Sequence, residues 1–168
     1  ENKLQYLLPV LEANELEEFR ITTSTSNMIP LAPTYTLAIQ GAPAPVLTMT
    51  AYGYMAELAR QALLKLAYEH EIFAELVIPT RLAPSEMEPI LASVTQTGRL
   101  LTIEEGTRSL GWGSEVLAAC SEQLGSQLRQ SYRLAARDLP IPASGPLEAA
   151  VLPGLDEIIQ AAHKLTRG

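Results

Sequence analysis

Cysteine is nearly absent: Cys120 is the single one in 168 residues, so no internal disulfide can form and a reducing compartment is the expected setting. Histidine is almost as scarce. His70 and His163 are the only two, and neither has an i,i+4 partner, which leaves no metal-ligand spacing and little material for a nucleophile activated by histidine. Both are expected to be surface or packing residues. Cations are outnumbered, with 12 Lys and Arg against 19 Asp and Glu and a formal net charge of −7. That balance argues against nucleic-acid binding, which depends on a basic surface, and leaves basic protein partners open. No apolar run reaches ~18 residues, so no membrane span is expected. The sequence begins at Glu1, not methionine, with no signal pattern behind it, and is expected to be a piece of a longer polypeptide.

What is present is ordinary for a globular domain: 47% hydrophobic and 18% charged residues, enough for one full core with an attached arm. The prolines gather in Pro30–Pro45, Pro79–Pro89 and Pro140–Pro153, marking these as connections. Residues 1 to 45 are the least regular part, with one or two helical turns expected over Asn14–Phe19 before the Thr/Ser run Thr22–Ser26. Tyr35–Ile39 and Val46–Thr50 have strand chemistry, and the short Gln40–Pro45 turn between them predicts a hairpin. From Tyr54 the period changes. Met55, Leu58, Ala59, Ala62, Leu63, Leu66 and Ala67 make one apolar helical stripe. Ala74–Ile78 supplies a strand, Ser85 an expected N-cap, and Met87, Ile90, Leu91 and Val94 a second helix that stops at Gly98.

A further strand begins at Leu100. Val116, Leu117, Cys120 and Leu124 stripe a third helix ended by Gly125, and on that stripe the Cys120 thiol is expected in the core. Tyr132–Ala136 is the next strand, Asp138–Pro142 a proline-stiffened extended run, and Leu155, Ile158, Ile159 and Ala162 the stripe of a C-terminal helix. Strands alternating with amphipathic helices require a mostly parallel sheet covered on both faces. The expected fold is an α/β three-layer α/β/α sandwich of about five strands, one of them antiparallel to the rest.

The stretch Leu100–Val116 runs from an apolar strand through Glu104-Glu105 and a glycine-rich turn into a helix. Beyond the carboxyl ends of such strands lie the ligand and partner surfaces of open α/β sheets, so Glu104–Gly113 is expected on the functional edge. Gly111-Trp112-Gly113 lacks the third glycine of a dinucleotide fingerprint, and these glycines are expected to serve a tight turn packed close to a strand. Glu104 and Glu105, as strand neighbours, point to opposite faces and cannot address one substrate atom together. They are expected to be solvated or interface carboxylates. Trp112 is expected to be at least half exposed as an interface anchor. The interface candidates are Glu104, Glu105, Gly111, Trp112 and Gly113, with no catalytic, cofactor-binding or metal residue among them.

Glu104-Glu105-Gly106, then Gly111-Trp112-Gly113-Ser114-Glu115-Val116, then Asp138-Leu139-Pro140-Ile141-Pro142 with Leu147-Glu148 and Leu152-Pro153, resemble the C-terminal domain of the β subunit of thiamine-diphosphate-dependent 2-oxo acid dehydrogenases, the transketolase C-terminal fold. Thr50-Ala51-Tyr52-Gly53 and Thr97-Gly98-Arg99-Leu100 fit the same family, and Glu1-Asn2-Lys3-Leu4-Gln5-Tyr6 is similar to the segment that ends its pyrimidine-binding domain. Two departures stand out. Leu110 replaces the first of two glycines that usually precede the aromatic, and Ile78-Pro79-Thr80 replaces the usual Asp-Leu-Arg.

The resemblance implies that residues 1–33 are the tail of the preceding pyrimidine-binding domain with a linker arm, and residues 34–168 the transketolase C-terminal-like domain. It implies a parent enzyme of the pyruvate dehydrogenase type that uses thiamine diphosphate and magnesium, with neither cofactor held by this chain, since the family's Gly-Asp-Gly motif is not in the sequence. The implied partners are the α subunit, a second β subunit in a dimer, and the basic binding domain of the acyltransferase component, in the cytoplasm or an organelle matrix or stroma. A freestanding small-ligand-binding module of the same fold is the alternative, because architecture alone does not carry function.

Overall fold

The computed structural model describes residues 17–26 and 29–167. In chain order the strands are β1 (Phe19–Ser26), β2 (Ile29–Ile39), β3 (Leu47–Ala51), β4 (Ala74–Pro79), β5 (Arg99–Thr107) and β6 (Gln130–Ala136). The helices are α1 (Tyr54–His70), α2 (Glu88–Thr97), α3 (Trp112–Leu124), α4 (Gly145–Ala149) and α5 (Leu155–Thr166). The six strands of the described residues form one sheet in the order β1-β2-β4-β3-β5-β6. The pairs β3–β4, β3–β5 and β5–β6 are parallel, and β2 runs antiparallel to both of its neighbours, β4 and β1. One strand therefore opposes the other five.

Two local expectations fail here. The Thr/Ser run of the expected arm is strand β1, and Phe19 opens it instead of ending a helical turn; Asn14 to Leu16 lie outside the described residues. The hairpin does not form either: β2 pairs with β4, so β4 lies between β2 and β3. The reason is burial. Every residue of β3 is buried, which suits a central strand flanked by parallel neighbours and not an edge hairpin. After a turn at Gln40–Gly41 the connection to Pro45 is long enough to cross the roughly 10 Å that separates next-but-one strands.

The sheet is covered on both faces, as alternating strands and helices demand. One face carries α1 and α5 over Leu47, Met49, Leu76, Leu101 and Ile103, with the apolar stripe of α1 pointing inward as its period requires. The other carries α2 and α3 over Val77 and Leu100, and there Cys120 is fully enclosed, with burial pushing its thiol up to about 11. That thiol is core and not a nucleophile at neutral pH. The Thr48 hydroxyl, on the α2 face, is satisfied by Ser93 and Thr97 at 2.8 Å each. His70 and His163 meet edge to face, ring centroids 4.6 Å apart, at the packing seam of α1 and α5.

Ser85 does not cap α2. The helix starts at Glu88 behind Met87, with a proline in its first turn, while the Ser85 hydroxyl donates to the Leu82 carbonyl. Leu101 is fully enclosed beneath the α1–α5 layer. Leu101→Ala should lower the unfolding free energy by about 2–5 kcal/mol, read as a lower urea midpoint at unchanged slope.

Candidate functional site

The carboxyl ends of β5 and β6 collect most of the residues singled out in the sequence. On β5, Leu100, Thr102 and Glu104 alternate toward the α2–α3 layer, and Leu101 and Ile103 toward α1 and α5. Between the pairs Ile103–Leu134 and Thr107–Ala136 strand β5 holds two more residues than β6, and this bulge carries Glu105 and Gly106. Glu105 is partly buried. Glu104 is not the solvated or interface carboxylate expected: its exposure is 0%.

What encloses it is the start of α3. The backbone N–H of Gly113 donates to Glu104 Oε1 at 2.9 Å, so the carboxylate sits where the unpaired N–H groups of the helix point. The approach is so close that side chains are excluded around it. A Cβ on Gly113 would stand 2.5 Å from Thr102 Oγ1 and 2.8 Å from Glu104 Oε1; one on Gly111 would meet the Thr107 carbonyl at 2.4 Å and Glu104 Oε1 at 2.7 Å. A Cβ on Gly106 would stand 2.9 Å from Glu104 Oε2. The glycines are therefore packing partners of one buried carboxylate, and Gly113 is itself buried.

Burial raises the pKa of Glu104, opposed by the N–H groups of Gly113 and Trp112 and by the charge of Arg133. The neighbouring Tyr52 phenol is raised by burial and by the charges of Glu104 and Glu105. Glu104 Oε2 and Thr102 Oγ1 are buried without a hydrogen-bond partner among the described residues. Trp112 is also less open than expected. It occupies the first turn of α3, partly buried, with its indole N–H donating to Ser85 Oγ at 2.9 Å and its ring edge-on to Tyr52, centroids 5.3 Å apart. Both partners lie on other loops, so the indole clamps the edge together instead of projecting from it.

Outside this enclosed layer the loops are tied to each other. Ser109 donates from its N–H and its hydroxyl to the two oxygens of Asp138, at 2.9 and 2.8 Å, holding that carboxyl below its ordinary range. Arg133 donates to the Arg108 carbonyl at 2.9 Å and to the Ser114 hydroxyl. Leu110 stands between these anchors at φ 58°, a left-handed conformation that costs a leucine ~1–3 kcal/mol.

The arrangement does not fit a diphosphate and its metal. A helix N-terminus behind a parallel strand is a ready phosphate site, but here a buried carboxylate of the same chain already accepts from it. Among the described residues no three His, Cys, Asp or Glu side chains are grouped to hold a metal ion. A shallow groove of about 370 Å³ lies elsewhere, between β1, β2, β4 and α2, lined by Thr22, Ser24, Thr36, Glu75, Glu88 and Gln96 among others, with no cation to meet a phosphate.

Two substitutions test the cradle. Gly113→Ala should destabilise by about 1–3 kcal/mol, because the methyl group meets Thr102 and Glu104 below contact distance; chemical denaturation reads it. For Glu104, a pKa raised in the folded state means that more protons are bound folded than unfolded. Its stabilising contribution is thus present below the unfolded value near 4.5 and is lost as pH rises through the folded value. Glu104→Gln should remove that component, flattening the pH dependence of the urea midpoint above pH 4.5 relative to the unsubstituted chain.

Comparison with known proteins agrees with the geometry. The family model described as the transketolase C-terminal domain matches residues 38–158. The pyruvate dehydrogenase E1 β subunit of Pisum sativum mitochondria is 32% identical over 118 residues, covering 70% of this chain and 33% of the relative. The β subunit of 3-methyl-2-oxobutanoate dehydrogenase from Mycobacterium tuberculosis is 31% identical over 121 residues, covering 71% and 34%. Among solved structures, a split-gene transketolase described as an inactive β4 tetramer superposes with a TM-score of 0.66 at 25% identity, covering 75% of this chain and 41% of that one. The chain spans about a third of the length of the curated relatives it matches. With the matched stretch running from the end of β2 into α5, and the sheet order and glycine cradle in place, the chain belongs to the transketolase C-terminal domain family.

Proposed function

We propose that this chain is the C-terminal assembly domain of the β subunit of a thiamine-diphosphate-dependent 2-oxo acid dehydrogenase, and that it contributes no catalytic group of its own. The parent would decarboxylate pyruvate or a related 2-oxo acid, with cofactor and magnesium held by other domains. The observation that carries the non-catalytic part is the Glu104 carboxylate at the start of α3. It consumes the donors that a phosphate would need and cannot be withdrawn without leaving the Gly113 N–H unsatisfied. The relatives named above are themselves β subunits, which supports the rest of the reading.

On this reading residues 34–168 form the domain and residues 1–33 come from the tail of a pyrimidine-binding domain. The partners are an α subunit, a second β subunit and the basic binding domain of an acyltransferase, the last favoured by the net charge of −7. The compartment is the cytoplasm or an organelle matrix. Isothermal titration of this chain with thiamine diphosphate and magnesium should give no submicromolar binding, and pyruvate or a branched-chain 2-oxo acid should not be turned over. Tight binding or turnover would overturn the assignment. Co-purification with an α subunit of the same organism should succeed; a chain that instead binds a small ligand and no α subunit is a freestanding module.

A further inference from the structure

His70 and His163 have no metal-ligand spacing along the sequence, yet the fold sets them side by side. His70 ends α1 and His163 lies in the last turn of α5, and the packing of these helices brings the two rings to 4.6 Å between centroids, with 84° between their planes. Among the described residues neither ring makes a hydrogen bond, and His163 Nδ1 is enclosed without a partner. Edge-to-face packing accounts for the approach of the rings but leaves that nitrogen unsatisfied, at a cost in free energy. The spacing is also that of two imidazoles on one metal ion. With metal–nitrogen bonds of about 2.0 Å, rings on adjacent coordination positions hold their centroids about 4.5–5.2 Å apart. His70 is exposed, so its ring can turn about χ2 to aim a nitrogen without moving its centroid or its helix.

We propose that His70 and His163 form a two-histidine site for a divalent transition metal of the zinc, nickel and copper class, which fastens α5 to α1. Ligand chemistry selects the ion. Imidazole nitrogens suit zinc, nickel and copper, whereas magnesium takes oxygen ligands. Burial, Arg167 and His70 hold His163 below the ordinary histidine value, so at neutral pH its ring keeps a lone pair for a metal. The cations of α5 are offset: Lys164 is held over the Tyr132 ring, 4.7 Å from its centroid, and Glu69 and Glu71 flank His70 in the chain. No third His, Cys, Asp or Glu of the described residues is grouped with the pair, so water fills the other coordination positions. Nor does any described group orient the rings from outside. Binding is therefore micromolar and exchangeable, unlike that of a structural zinc centre with four protein ligands. His70 precedes the start of β4 at Ala74, which places the pair toward the amino ends of the parallel strands, away from Glu104. The site is thus independent of the assembly role proposed above.

Isothermal titration of the untagged chain with zinc chloride at neutral pH should show one ion bound per chain at micromolar affinity, with nickel competing for the same site and magnesium failing to bind. Zinc should also raise the midpoint of thermal unfolding, because it binds the folded chain. His70→Ala, at an exposed helix end, should keep the circular dichroism of the unsubstituted chain and abolish the thermal shift. It should weaken zinc binding by at least about 10-fold, the cost even of a change outside the ligand shell. His163 is partly enclosed, so its role is read in the unsubstituted chain: zinc should shift the imidazole nitrogen resonances of both histidines in parallel. A chain that takes up no zinc at micromolar concentrations overturns the proposal. Stoichiometric binding that survives His70→Ala overturns it too, as do resonance shifts confined to one ring, since the ion is then held elsewhere or by a single histidine.

Discussion

The carboxyl edge of this domain depends on one hydrogen bond, from the Gly113 backbone N–H to a fully buried Glu104 carboxylate. A buried carboxylate is costly unless donors and positive potential meet it, and the first turn of α3 supplies both. To bring helix and carboxylate to 2.9 Å the chain must have no side chain at positions 106, 111 and 113. The helix start is then locked to β5, and Trp112 is carried into its place between Tyr52 and Ser85. The loop from Thr107 to Gly111 has little freedom left, and Leu110 takes the strained conformation that results.

This plug separates the domain from the nucleotide-binding sheets that it resembles in outline. In those folds the helix N-terminus behind the strand faces a ligand phosphate. Here it faces inward to the chain's own glutamate, and what the edge presents to solvent is aliphatic side chains on loops tied together by Ser109 and Asp138.

Much of the fold is legible in the residue pattern. The stripes of α1, α2, α3 and α5 follow the helical period, and the apolar runs of β4, β5 and β6 fall near their observed bounds, because amphipathic spacing is a local property. The Thr/Ser run of β1 was not recognisable as a strand. Its polar residues bury little, and pairing with β2 makes it a strand. The placement of β4 between β2 and β3 was equally hidden. Chain proximity across Gln40–Pro45 suggests a hairpin, but sheet order is set by which strands need cover on both faces.

By itself the sequence determined the layered α/β/α class, the core position of Cys120 and the glycines needed for close backbone approach, since each follows from local period or from the absence of a Cβ. The family resemblance, carried by short motifs in the right order, pointed the same way as the match over residues 38–158. Only the tertiary structure decided that Glu104 is enclosed and Glu105 less so, that Trp112 is clamped, and that His70 and His163 meet. Burial of a charged or aromatic side chain depends on which distant element packs over it. No spacing along the chain records that α3 closes on Glu104.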